Sequence, residues 1–304
     1  MTQNLIEKYE TLLEFDRIKI NAITWISAAI IISLLVGILS WILSSFIIKE
    51  TTLLPFAFGT ATLVLILGYP YMKKESIVDT IEDNFSDALK QMADTLKAGD
   101  TYESALREVA NSEYGRLSEE MEIALRSLEE GSNIETALES FAERIDSRLV
   151  RRTITIILDS IKTGASLAEI LDEISEDVRD FHRLKEERKA NTTMQFMFMV
   201  AAGGAIAPMI FGEVSAVMGI FSRITSSVVE TAQLAAVEKT SQIILILIQG
   251  YIIIEVVGSG AMMSIIREGK LNKSIIYIPI LLLLAFIMYY ASTIAISSIL
   301  AGAI

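Results

Sequence analysis

NAITWISAAIIISLLVGILSWILSSFII, residues 21–48, is a run of 28 residues without one charged side chain. A hydrocarbon layer of about 30 Å takes roughly 20 residues of helix at 1.5 Å rise per residue, so this run is long enough to cross a bilayer. Apolar runs of similar length recur at 51–72, 194–220, 243–266 and 275–304. Lipid offers no partner to a backbone amide, and none of the runs alternates with the period of a barrel strand, so each is predicted to be a helix. The sequence thus predicts an all-α, polytopic membrane protein with about five transmembrane helices. The first run is too long and too far from the start for the apolar part of a signal peptide, and Glu7, Glu10, Glu14 and Asp16 precede it, so it is expected to be a retained span.

The net charge of −12 is concentrated between the second and third runs. Residues 73–193 hold 28 Asp and Glu against 17 Lys and Arg, a balance of −11, and such a segment belongs in water. The acidic balance argues against nucleic acid as a partner. There is no cysteine and a single histidine, His182. Disulfides, thiolate chemistry and the usual zinc sites are thereby excluded, no cofactor is implied, and His182 is expected at the surface with no metal role.

Lys and Arg number 3 before the first run, 1 between the first two, 17 in the central block, 2 in 221–242, 3 in 267–274 and none after. That alternation predicts a cytoplasmic segment 1–20, two spans in 21–72, a cytoplasmic domain 73–193, and three spans in 194–304 with an external segment at 221–242 and the C-terminus outside. Lys73, Lys74, Arg183, Lys185, Arg188 and Lys189 would frame the domain at the headgroups of the lipid bilayer.

Within the central block one pattern occurs three times, centred on Gly99, Gly131 and Gly164. Each unit has an apolar residue three positions before the glycine and others three, six and seven after it, which is helix spacing on both sides of a break. Leu106, Leu138 and Leu171 hold the last of these positions. The glycines are expected to end helices in the left-handed conformation, and Asp100-x-x-Glu103, Ser132-x-x-Glu135 and Ser166-x-x-Glu169 to open the next ones as capping boxes. Six helices follow, near 75–98, 101–112, 117–130, 133–145, 148–163 and 166–193. They form a bundle whose core includes Phe85, Leu89, Leu96, Leu106, Leu125, Leu128, Leu138, Ile157, Leu158 and Leu171.

Three glycine-centred breaks in an acidic helical block flanked by spans, above all Thr163-Gly164-x-x-Leu167-x-x-Ile170-Leu171 before a charged exit helix, resemble the type II secretion system F domain. That family comprises inner-membrane platform proteins of type II secretion, type IV and Tad pili and the archaellum. The resemblance covers about residues 75–193 and the order of the spans, and a single domain of this kind points to the Tad-like and archaeal members. Many members place Glu just before the third glycine, where this chain has Lys162-Thr163. The resemblance implies a non-enzymatic platform in the cytoplasmic membrane, a hexameric secretion ATPase and pilin-like subunits as partners, and a second copy or a paralogous platform subunit.

Glu213 and Glu255 lie inside apolar runs, where a carboxylate must face protein or water, and both are candidates for an intramembrane contact. Ala201-Ala-Gly-Gly-Ala-Ile-Ala-Pro208 would allow a kink and close helix approach. A transporter using Glu255 and the 203–208 break is the alternative reading, against which stands the placement of the repeat in the soluble block. Glu119, Glu120, Glu129 and Glu130 form acidic faces suited to docking a basic ATPase surface. No phosphate-binding loop G-x-x-x-x-G-K-[ST] occurs, so energy from ATP would have to come through a partner.

Overall fold

The computed structural model describes residues 2–16, 20–47, 53–163, 166–226 and 231–301, and every regular element among them is helical. The chain divides into two compact units. A membrane unit takes Met1–Met72 and Lys189–Ile304, and a charged unit takes Lys73–Arg188. The helices are α1 Thr2–Phe15, α2 Ala22–Ile47, α3 Leu54–Lys97, α4 Tyr102–Ala110, α5 Arg116–Glu129, α6 Ile134–Ile145, α7 Arg148–Thr163, α8 Leu167–Ala201, α9 Ala207–Ser226, α10 Thr231–Glu268 and α11 Ser274–Ala301. Five helical stretches among the described residues are long and apolar enough to cross a membrane.

A separate span ending at 72 and a new helix from 75 are not what forms, because α3 runs unbroken from Leu54 to Lys97. Between the two predicted elements stand Tyr71-Met-Lys-Lys-Glu-Ser76, which contain neither a glycine nor a proline to stop a helix. Pro70 does lie inside α3, and lacking an N–H it leaves the Ile66 carbonyl without its helical donor. Trp25 Nε1 donates to that carbonyl at 3.2 Å, and the Tyr9 hydroxyl donates to the next one, Leu67 O, at 2.9 Å. Burial pushes the Tyr9 phenol up to about 12, so it stays a donor.

In the charged unit Gly99 and Gly131 have φ of 95° and 97°. Gly99 N–H bonds Leu96 O and Asp100 N–H bonds Thr95 O; Gly131 N–H bonds Leu128 O and Ser132 N–H bonds Ser127 O. These are paired C-terminal closures of the Schellman type, and they consume the amides of Asp100 and Ser132. The first two predicted capping boxes are therefore one residue early, whereas α8 opens at Leu167 directly after Ser166. Thr101 caps α4 by accepting from Ser104 N–H at 3.2 Å, and Asn133 caps α6 by accepting from Thr136 N–H at 2.7 Å. Gly164 lies outside the described residues. A further break uses Asp146, left-handed at φ 56°, followed by Ser147, whose hydroxyl accepts from Val150 N–H.

The core of this unit draws on six helical stretches: Phe85 and Leu89 from α3, Leu106 from α4, Met121 and Leu125 from α5, Leu138 and Phe141 from α6, Ile154 and Ile157 from α7, and Leu171 and Ile174 from α8. All ten apolar residues assigned to the core from the sequence lie in this cluster, Leu96 at its edge. His182 is not a surface residue. Its side chain is 14% exposed, with Nδ1 3.1 Å from an Asp83 oxygen, because it faces the neighbouring turn of α3 across the α3–α8 seam.

In the membrane unit α10 and α11 form the core with Ile252, Val256, Phe286 and Tyr290, joined by Ala57 and Ala61 of α3. The predicted third span is built from the end of α8, a π-helical turn Ala202–Ile206 and α9. Gly203 and Gly204 sit in that turn. A Cβ on Gly203 would meet Ser259 Oγ of α10 at 2.8 Å, and one on Gly204 would meet Leu284 of α11 at 2.9 Å. The stretch 221–242 read as an external segment is largely helical among its described residues, continuing α9 to Ser226 and opening α10 at Thr231.

Candidate functional site

The repeat leucines Leu106, Leu138 and Leu171 are buried in the charged unit, and Gly99 and Gly131 turn the chain above them, so this part of the pattern is scaffold. Function has to be sought on what the scaffold carries outward.

Of the four glutamates expected on an acidic docking face, Glu120 is misplaced. It is 2% exposed, with Arg116 at 3.1 Å on one oxygen and Arg144 Nε at 2.9 Å on the other. The cause is its position on α5: with Leu117, Met121 and Ala124 it shares the inward stripe, and two arginines offset its burial. Glu119 is half-buried against Arg116, Glu129 is exposed and pairs with Arg107 at 2.7 Å, and Glu130 is exposed and makes no ion pair among the described residues.

A larger acidic feature, which the sequence reading passed over, is a cleft of about 750 Å³ between α3 and α4. Asp87, Asp94, Asp100, Glu108 and Glu113 line it against one lysine, Lys90. Its floor is a hydrogen-bonded polar layer: Thr95 donates to Glu108, and Tyr114 OH and Ser112 Oγ bond Gln91. Hydrogen bonds from Thr95 and then Gln91 hold the Glu108 carboxyl below its ordinary value. Asp100 and Glu113 are exposed, and neither makes an ion pair among the described residues. The signal in the sequence was the spacing 87, 90/91, 94/95, which sets these residues on one face of α3.

Along the seam between α3 and α8 runs a ladder of ion pairs. Lys185 meets Asp79 at 2.9 Å, His182 meets Asp83, Arg179 meets Asp87 at 2.8 Å, and Asp172 is held by both Lys90 and Lys97. The Lys90 and then the Lys97 ammonium keep the Asp172 carboxyl below the ordinary range.

Glu213 and Glu255 are each partly buried, on α9 and α10. The structure gives no contact between them. Glu255 Oε2 is buried without a hydrogen-bond partner among the described residues. One turn to either side, Tyr251 packs on Phe211 at 5.1 Å between ring centroids and Ser259 abuts Gly203, so the carboxyl faces the stretch that holds the π-turn and Pro208. The described residues include no group of three or more His, Cys, Asp or Glu able to hold a metal ion.

The family model for protein F of the type II secretion system matches residues 88–215, from within α3 to within α9. Over that span, less than half of its length, the chain is similar to the type II secretion system F domain. The F domain match takes in the helix breaks of the charged unit and runs on through α8 and the π-turn. Among curated proteins the chain is similar to an uncharacterized protein of Methanocaldococcus jannaschii, 24% identical over 161 residues, which is 51% of this chain and 54% of that protein. The chain thus spans about half the length of the curated relative it matches. No solved structure matches it.

Proposed function

We propose that the protein is a non-enzymatic platform in the cytoplasmic membrane, which couples a hexameric secretion ATPase to the assembly or secretion of pilin-like subunits. The observation that carries this reading is the F domain match across 88–215 in a chain with five apolar spans. In this reading the charged unit is cytoplasmic and so is the N-terminus, with the C-terminus outside, as the Lys and Arg distribution favours. A second copy or a paralogue completes the platform. The ATPase docks through a basic surface on the acidic cleft and on Glu119, Glu129 and Glu130, which steer and orient it more than they hold it. Pilin-like subunits meet the spans from the bilayer, and Glu255 and Glu213 are the polar groups available to them there. Motion imposed on the charged unit would enter the spans through α3 and α8, the two helices whose residues belong to both units.

The test is reconstitution of the full chain with the secretion ATPase of the same cell. The chain alone is expected to hydrolyse no ATP and to raise the turnover of the ATPase when mixed with it. Charge reversal at Asp100 and Glu113 should lower that stimulation and weaken its dependence on salt. Hydrolysis by the highly purified chain, or an ATPase indifferent to it, would end the proposal.

A further inference from the structure

The charged unit, Lys73–Arg188, has twelve more acids than bases, yet among the described residues two of its cations stand without an acid. Arg148 and Arg152 lie one turn apart at the start of α7, both exposed, and among the described residues neither side chain makes a hydrogen bond or an ion pair. Every other Lys and Arg of the unit has an interaction partner, including exposed ones: Arg107 has Glu129, Arg126 has Glu122 and Arg183 has Glu187. Even Arg151, between the two, reaches Asp146 at 3.6 Å. With acids in such surplus, an unpaired arginine is the exception, and a pair on one helix face points to an anion from outside the chain.

The position of that face selects the anion. Asp146, two residues before Arg148, binds Lys74 Nζ at 2.9 Å, and Ser147 donates to Glu82 at 2.7 Å. Lys74 is the second residue after the apolar run of α3 ends at Met72, about 3 Å of helix rise farther on. The turn that launches α7 is thus tied to the residues of α3 that directly follow its apolar run, where the field of an anionic leaflet extends over a Debye length of about 8–10 Å. A guanidinium is planar, stays charged and meets phosphate oxygens in pairs.

We propose that Arg148 and Arg152 bind the phosphate groups of anionic phospholipids and so dock the start of α7 on the leaflet. The inference rests on residues 54–72 being a span and is independent of the platform reading, whose ATPase test it leaves untouched.

Native mass spectrometry of the full chain in detergent, offered equal amounts of phosphatidylglycerol and phosphatidylcholine, reads the site directly. The wild type is expected to retain phosphatidylglycerol in preference. At roughly fivefold per arginine, Arg148→Gln/Arg152→Gln should lower that affinity by about 10- to 25-fold. The doubly conservative Arg148→Lys/Arg152→Lys should keep most of it, which shows that the fold and the lipid-facing spans are intact. Arg107→Gln/Arg126→Gln, with the same change in net charge elsewhere on the unit, should leave it unchanged. Equal retention by the wild type and Arg148→Gln/Arg152→Gln would overturn the proposal, and so would equal losses in the two glutamine pairs. Displacement of the lipid by millimolar inorganic phosphate would overturn the lipid as the ligand and assign the arginines to a free anion instead.

Discussion

Asp172 in the charged unit is held by two lysines, whereas Gln249 in the membrane unit accepts from the Leu53 amide at 2.8 Å and donates to the Tyr290 hydroxyl at 3.4 Å. The contrast extends through both units. In the charged unit many polar side chains face each other as opposite charges, and Glu120 is carried into the interior between Arg116 and Arg144. In the membrane unit the partners are neutral: Tyr289 OH donates to Ser215 Oγ at 2.8 Å, Thr293 Oγ1 donates to Gly212 O at 3.1 Å, and Trp25 and Tyr9 serve the carbonyls near Pro70. Water lets the first unit keep its charges ionised at modest cost, while hydrocarbon favours hydroxyls, amides and close backbone approach.

The sharpest way to break the comparison is to unbalance the buried charge. Arg144→Ala leaves Glu120 with Arg116 alone, and since an uncompensated buried charge costs about 3–5 kcal/mol, the remaining arginine should limit the loss to about 2–3 kcal/mol. Hydrogen exchange of α5 and α6 amides in the reconstituted full chain measures it. An unchanged exchange rate would mean that water, not Arg144, solvates Glu120.

The matching change in the membrane unit is Gln249→Leu, which removes both neutral bonds and fills the same volume. Interhelical hydrogen bonds in membranes average about 0.6 kcal/mol, so a loss of about 1 kcal/mol is expected, a fraction of the Arg144 effect. Steric-trap or detergent unfolding of the full chain reads it. A cost equal to that of Arg144→Ala would erase the distinction between the units.

Much of this was legible in the sequence, and what was not has identifiable causes. Runs of more than 20 apolar residues announce spans because length and hydropathy alone decide them, and the repeat around Gly99 and Gly131 announces helix ends because only glycine takes φ near +95° without strain. The caps were misread by one residue because Asp100 and Ser132 look like N-caps on type, and only the hydrogen bonds show their amides serving the preceding helix. Asp146 carried no such signal, since a left-handed aspartate is indistinguishable in sequence from any other surface acid. Glu120 was read as surface from its neighbours in a run of acids, although its helical phase with Leu117 and Ala124 already pointed inward. The seam between α3 and α8 joins residues 75 to 106 positions apart in the chain, and one sequence holds no record of such pairings.

The smallest expected effect concerns Asp172, whose contacts with Lys90 and Lys97 are partly solvent-exposed and screened by salt. Its folded-state carboxyl titrates below the ordinary value, Lys90 being the first cause and Lys97 the second. At neutral pH the group is ionised in both folded and unfolded chains, and its ion pairs count in full. On acidification through about pH 4 the unfolded chain takes up the proton first, so the contribution shrinks, and it is gone once the folded carboxyl is protonated too. Asp172→Asn should therefore melt slightly below the wild type at neutral pH, the gap closing under acid and also at high salt. A gap that persisted under acid would show that Asp172 acts through packing or neutral hydrogen bonds, and the ladder along α3 and α8 would then resemble the membrane unit in its means of satisfaction.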